Sequence, residues 1–155
     1  TGQWPAEIYR VSNIKKIFLI YVHSPVKFQI VDFNGNITGT DFTNMNVLEA
    51  IPNSLFDEEN GFVFLRDPGN GEYKINVIGI GEGGNYGLSV DMIDNSGSQQ
   101  SLVNGTIAFD EIQNYKINYD NTLIGPLIIE RVRTKIIIDD IASIASLSLN
   151  LGLLL

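Results

Sequence analysis

Cysteine is absent from this 155-residue chain and histidine occurs once. The first absence removes disulfides and thiolate chemistry, though a chain of this size buries a core without covalent staples. The second leaves zinc without its usual nitrogen and sulfur donors. Positive charge is also scarce: 10 Lys and Arg stand against 18 Asp and Glu, a net charge of −8 and a pI near 4.4. Such a chain repels nucleic acid, whose phosphates attract cations. It suits solubility, cation binding or a salty exterior. No apolar run is long and uncharged enough to read as a membrane span, because Asp139 and Asp140 stand at the head of the most apolar segment. The opening Thr1-Gly2-Gln3-Trp4-Pro5 carries no signal peptide and resembles the start of a mature or excised fragment.

What is present is sheet chemistry. Val, Ile, Thr, Tyr and Phe are plentiful. The segment Phe62–Asp94 contains Gly79-Ile80-Gly81-Glu82-Gly83-Gly84, which spells the GxGxxG dinucleotide fingerprint. That fingerprint needs a helix starting at the glycines, so that its N–H groups face a pyrophosphate. Here Tyr86, Leu88, Val90 and Met92 alternate with small or polar residues, as Tyr73, Ile75 and Val77 do upstream. Period two is a strand buried on one face. The glycines are therefore expected to turn a hairpin, with both sets of apolar residues on one buried face.

Other runs repeat the pattern. Ile14–Val22 reads as a central strand, apolar on both faces from Ile17 onward. Ser24-Pro25 interrupts it, and Val26, Phe28 and Ile30 alternate up to Asp32-Phe33-Asn34-Gly35-Asn36. Asn-Gly between strand-like runs marks a hairpin, with residues 36–42 returning. Residues 43–61 are polar and read as the longest loop. Asn95-Ser96-Gly97-Ser98 reads as a turn, and 101–107 and 115–119 as strands. Turns between short strands, without alternating helices, predict an antiparallel β-sandwich, jelly-roll or Ig-like, of seven to nine strands over residues 1–134. Phe28, Ile30, Tyr73, Ile75, Val77, Leu88 and Val90 should point inward. Residues 135–155 form a separate unit. Asp139, Ser143, Ser146 and Asn150 place a polar stripe on an otherwise apolar C-terminal helix, or the start of a further module, and Ser146–Leu151 also fits a strand. Its apolar face calls for a neighbouring domain or protein partner.

Candidate chemistry is thin. His23 and Ser24 are neighbours, and neighbours in a strand point to opposite faces, so they form no nucleophile–base pair. Paired carboxylates for an acid-dyad hydrolase could be drawn from Asp57, Glu58, Glu59, Glu72, Glu82 and Asp91, all in turns or on outward strand positions. Calcium fits better: it takes hard oxygen ligands from glycine-bent turns. Asp32, Asn34 and Asn36, and separately Asp57 and Glu58, supply such ligands, although no EF-hand spacing is complete. A simple turn accounts for each of these stretches too. Trp4, Tyr9, Tyr86, Tyr115 and Tyr119 are the aromatics on which a sugar could stack, which allows a calcium-assisted carbohydrate-binding module. Arg131-Val132-Arg133-Thr134-Lys135 is a basic cluster that reads as a solvated edge or an internal partner for acids. Asn36-Ile37-Thr38 and Asn104-Gly105-Thr106 are glycosylation sequons.

These residues together carry a resemblance. Ser24-Pro25-Val26, the strand to Asp32-Phe33-Asn34-Gly35 and the step Ile51-Pro52 precede a run from Pro68-Gly69 to Val90 that fits, with one extra residue before Tyr86, the pattern "P-G-x-G-x-Y-x-(I/L)-x-V-x-G-x-G-x-G-x-Y-x-L-x-V". Over residues 15–120 this resembles the β-sandwich accessory domains of secreted and cell-surface proteins of bacteria and archaea, similar to pre-peptidase C-terminal domains. The resemblance implies an extracellular, non-catalytic role in folding, anchoring or partner contact. It transfers no catalytic residue and no cofactor.

Overall fold

The structure is a computed structural model that describes residues 16–122 and 125–133. In chain order the strands are β1 (Ile17–Val22), β2 (Val26–Val31), β3 (Ile37–Thr40), β4 (Val47–Glu49), β5 (Ser54–Asp57), β6 (Phe62–Arg66), β7 (Gly71–Gly79), β8 (Gly84–Asp94), β9 (Gly97–Ile107), β10 (Ile112–Tyr119) and β11 (Glu130–Val132). They form a five-stranded sheet, β5-β6-β1-β8-β9, and a six-stranded sheet, β11-β10-β7-β2-β3-β4, and every pairing is antiparallel. The two sheets pack as a sandwich. Eleven strands exceed the expected seven to nine because short pieces join the edges. β4 and β5 lie inside the stretch expected to be loop; three or four residues are too few for periodicity to announce a strand, and the partner's backbone supplies the ladder instead. There is no helix among the described residues, and the expected C-terminal helix and the 135–155 unit lie outside them.

One core fills the space between the sheets. Phe18, Ile20 and Val22 of β1 and Leu88 and Val90 of β8 face Phe28 and Ile30 of β2 and Tyr73, Ile75 and Val77 of β7. All seven residues expected to point inward are buried, the most exposed at 2%. Each such side chain contributes about 1.5–3 kcal/mol of burial.

The glycine segment departs from the hairpin expectation. β7 pairs with β2 and β10 in the six-stranded sheet, whereas β8 pairs with β1 and β9 in the other. Residues 80–83 therefore carry the chain across the sandwich as an arch. Tyr73, Ile75 and Val77 meet Tyr86, Leu88 and Val90 from opposing sheets rather than side by side. Alternation reports which face of a strand is buried; two inner faces of a sandwich give the same signal as one shared face. The true hairpin is β8–β9, eleven residues a side, paired from Gly84 with Ile107 to Asp94 with Gly97 and turned by Asn95-Ser96. The β2–β3 hairpin at Asn34-Gly35 is as expected, with Gly35 in the left-handed region at φ 85°.

The arch glycines have a steric reason. A Cβ on Gly79 would stand 2.0 Å from the Ala108 carbonyl oxygen, and one on Gly83 would stand 2.3 Å from that of Ile107. The glycines let the arch lie directly on the β9–β10 turn. No helix starts there to receive a pyrophosphate.

Candidate functional site

At the end of the sandwich that carries the arch, β1 leaves one sheet and β2 enters the other through the cis Ser24-Pro25 peptide. The two sheets splay there around a cleft of about 350 Å³. Its apolar wall is Val22 and Phe56 from the five-stranded sheet and Val26 and Phe28 from the six-stranded one. Phe28 and Phe56 meet edge to face across the sheets, ring centres 5.7 Å apart at 87°. Tyr21 and His23, two apart on β1 and its extension, stack edge to face at 4.5 Å on the outer face of the five-stranded sheet, opposite the inward Ile20 and Val22. Lys27 Nζ donates to Glu58 Oε1 at 2.9 Å, closing a half-exposed ion pair at the mouth.

One wall residue is out of keeping. Thr40 ends β3 facing inward and is fully buried, yet its Oγ1 has no hydrogen-bond partner among the described residues. Thr38, two residues earlier on the same face, shows the contrast. Its Oγ1 accepts from the Ile51 N–H at 3.1 Å and lies 2.7 Å from Ser54 Oγ. Leaving a buried hydroxyl unpaired costs about 1–3 kcal/mol.

The residues singled out as calcium ligands do not converge. Asp32 closes its own turn: Oδ1 accepts from the Asn34 and Asn36 N–H groups at 2.9 and 2.8 Å, and Oδ2 from Asn36 Nδ2 at 2.9 Å. Asp57 does the same with the N–H and side-chain amide of Asn60. These bonds hold the Asp57 carboxyl below its usual range. Glu58 is committed to Lys27. The two loops lie at opposite ends of β2, since Lys27 at its start touches Glu58 and Asp32 follows its end. Six residues of strand put them about 20 Å apart. Among the described residues no three His, Cys, Asp or Glu gather around a point where a metal ion could sit.

Other expectations also find their places. Tyr86, Tyr115 and Tyr119 are 3–4% exposed, so they offer no face for stacking and belong to the core. Tyr86 Oη bonds the Gln113 Oε1 at 2.6 Å and the Tyr115 hydroxyl at 2.5 Å, while Gln113 Nε2 donates to the Thr106 carbonyl. Burial, then the bond to Tyr115, pushes the Tyr86 phenol well above its ordinary value. Burial and the nearby Asp32 charge push Tyr73 up to about 12, although its hydroxyl donates to the Gly69 carbonyl. Trp4 and Tyr9 lie outside the described residues. Of the hydrolase acids, Glu72 approaches Lys116 at 4.0 Å, Glu82 sits exposed on the arch, Asp91 stands mid-strand on β8, and Glu59 lines the cleft beside the Glu58 ion pair. His23 donates its backbone N–H to the Gly87 carbonyl, and its ring lies beside Gly87 on the outer face of the five-stranded sheet. Arg131 and Val132 form an exposed edge strand, as a solvated cluster would. The two sequons differ: Asn36 is committed to Asp32, whereas Asn104 is exposed on the outer face of β9.

Sequence patterning did not single out Tyr21, Lys27, Thr40 or Phe56 as functional. Three of them look like ordinary strand residues, and only the Lys27 charge beside an apolar alternation marks a position worth testing. Compared with known proteins, the chain matches no family model, no curated protein and no solved structure.

Proposed function

We propose that the chain is a non-catalytic accessory or interaction domain, a jelly-roll or Ig-like sandwich of an extracellular protein, which makes its contact at the cleft between β1, β3 and the β5–β6 turn. The observation that carries this reading is the open cleft itself, about 350 Å³, walled by Val22, Val26, Phe28 and Phe56 and with Lys27, Glu58 and Glu59 at its mouth. A preformed concavity with an apolar floor and a few convergent polar groups is the usual form of a binding site. Support for a role without catalysis comes from the chemistry at hand. The lone histidine packs on Tyr21, and at the mouth Lys27 is engaged by Glu58. The resemblance of residues 15–120 to accessory sandwiches, the acidic surface and the exposed Asn104 sequon support the extracellular setting.

Amide chemical-shift mapping with two probe sets tests this. One set is neutral monosaccharides; the other is dipeptides blocked at both ends. Shifts clustered on Val22–Phe28, Thr40 and Phe56–Gly61 are expected from at least one set, with the probes recovered intact. Silence of the cleft to both sets, or hydrolysis of any probe, would refute the reading.

A further inference from the structure

We infer that β9 is an interaction surface onto which a second copy of this chain adds its own β9, antiparallel, about a two-fold axis near the middle of the strand. The cleft takes no part, since none of its lining residues lies on β9. The first ground is an open ladder. β9 ends the five-stranded sheet, bonded to β8 on one side and to no strand on the other. The His23 N–H donates to the Gly87 carbonyl, so Gly87 turns its backbone groups toward β1. Backbone groups alternate sides along an antiparallel strand. Leu88, Val90 and Met92 therefore bond Val103, Ser101 and Gln99, while Ser98, Gln100, Leu102, Asn104 and Thr106 turn theirs away from the sheet. Thr106 lends its carbonyl to Gln113 Nε2. The segment after β10 touches β9 where Ser101 Oγ donates to the Leu127 carbonyl. No described residue bonds the backbone of the remaining four, Ser98, Gln100, Leu102 and Asn104.

The second ground is what this edge lacks. Sheets guard their edges with short strands, charge or proline. β4, β5 and β11 are three or four residues long and carry Glu49, Asp57, and Glu130 with Arg131. Glu49 Oε1 also takes up the Phe56 N–H of β5. β9 runs for eleven residues with no charge and no proline. The third ground is the fit of the strand to itself. Two copies of a chain of net charge −8 repel wherever acids meet, and along β9 none do. Gln100 and Asn104 can donate and accept across the axis, and Leu102, 56% exposed, is covered. With the other edges guarded, the two-fold closes a pair and does not propagate a fibre. An edge about 35 Å long buries less than a standard interface, so the dimer is weak, with a Kd of about 100 µM.

The test is sedimentation equilibrium on protein made without glycan, from about 10 µM to about 1 mM, over which the mass should rise toward that of a dimer. Across the same range, amide hydrogen exchange should slow about fivefold at Ser98, Gln100, Leu102 and Asn104. Gln99, Ser101 and Val103, bonded to β8, should be protected throughout. Leu102→Lys, at an exposed position, sets two like charges near the axis and should weaken the dimer at least tenfold with the melting temperature unchanged. Leu102→Thr, uncharged and suited to a strand, should keep most of it. A chain still monomeric at about 1 mM overturns the inference. So does a dimer in which those four amides exchange as freely as in the monomer, or one that Leu102→Lys leaves intact. None of these results bears on the cleft.

Discussion

The glycine arch makes the sharpest test of how this sequence specifies its fold, because three of its glycines have different reasons to be glycine. Gly81 sits at φ +60° with nothing near the place a Cβ would occupy. Alanine there pays only for the left-handed backbone, about 1 kcal/mol. Gly79 has ordinary backbone angles but would place its Cβ 2.0 Å from the Ala108 oxygen. Relief requires the β9–β10 turn to move by more than 1 Å, taking normal carbon contact as about 3.5 Å. That turn is tied to Gly79 by two hydrogen bonds, from the Gly79 N–H to the Glu111 carbonyl at 3.0 Å and from the Asp110 N–H to the Gly79 carbonyl at 2.9 Å. Losing both at about 1 kcal/mol each, with some lost packing, makes Gly79→Ala cost about 3 kcal/mol. Gly83 combines both problems, at φ +73° and 2.3 Å from the Ile107 oxygen, and its alanine variant should cost at least as much. In a thermal melt this becomes a fall of about 6–12 °C for Gly79→Ala and about 2–4 °C for Gly81→Ala. Urea unfolding gives the same order. If Gly81→Ala costs as much as Gly79→Ala, the steric account of the arch is wrong. A nucleotide-binding loop would behave differently, since NAD⁺ at millimolar concentration would raise the wild-type melting temperature. None is expected.

Two further perturbations probe the buried hydroxyls and the acidic turns. Tyr73 keeps its proton in the folded state up to about 12 against an ordinary 10. The unfolded chain therefore ionises first, and stability that is complete below pH 10 should fall by roughly 2 kcal/mol as the pH rises through 12. Tyr86 and Tyr119, also raised, steepen the loss. Phenolate absorbance near 295 nm would check this: titration of all tyrosines at their ordinary value without unfolding would contradict it. Asp32→Ala should cost about 2 kcal/mol, because it strands the N–H groups of Asn34 and Asn36 and the Asn36 amide. Millimolar Ca²⁺ should not change the melting temperature of the wild type. A rise reversed by EDTA would restore the calcium site.

Inside and outside were legible in the letters; partnership was not. Alternation at Phe28 and Ile30, at Tyr73, Ile75 and Val77, and at Leu88 and Val90 predicts their burial because a pleated strand has only two faces. The same alternation cannot say which sheet a strand joins, so the arch at 80–83 read as a hairpin, while the turn expected at Asn95-Ser96-Gly97-Ser98 is present but did not announce that it closes the longest hairpin. Edge strands β4, β5 and β11 are short and partly polar, and only their neighbours' open hydrogen bonds reveal them. The cleft was less legible still. Thr40 draws attention through a partner it lacks, and a missing partner leaves no trace in sequence.

The acidic composition shows how a functional signal and a structural one share a spelling. Asp32 caps Asn34 and Asn36, Asp41 caps Thr43, Asp57 caps Asn60, Asp94 caps Ser96 and Asp120 caps Thr122, in each case with a carboxylate accepting a backbone N–H two to four residues on. In four of these turns, at Asp41, Asp57, Asp94 and Asp120, the bonds hold the carboxyl below its ordinary range. The folded state is thus favoured at pH above the unfolded carboxylate value and loses that support as pH falls through the lower folded value. A turn rich in Asp, Asn and Gly offers calcium its preferred oxygens, but the same oxygens first satisfy the N–H groups the turn itself exposes. Five of the chain's 18 acidic residues are therefore explained by how its loops close. In the cleft, by contrast, Lys27 takes up Glu58 while Glu59 adds a further carboxylate at the mouth.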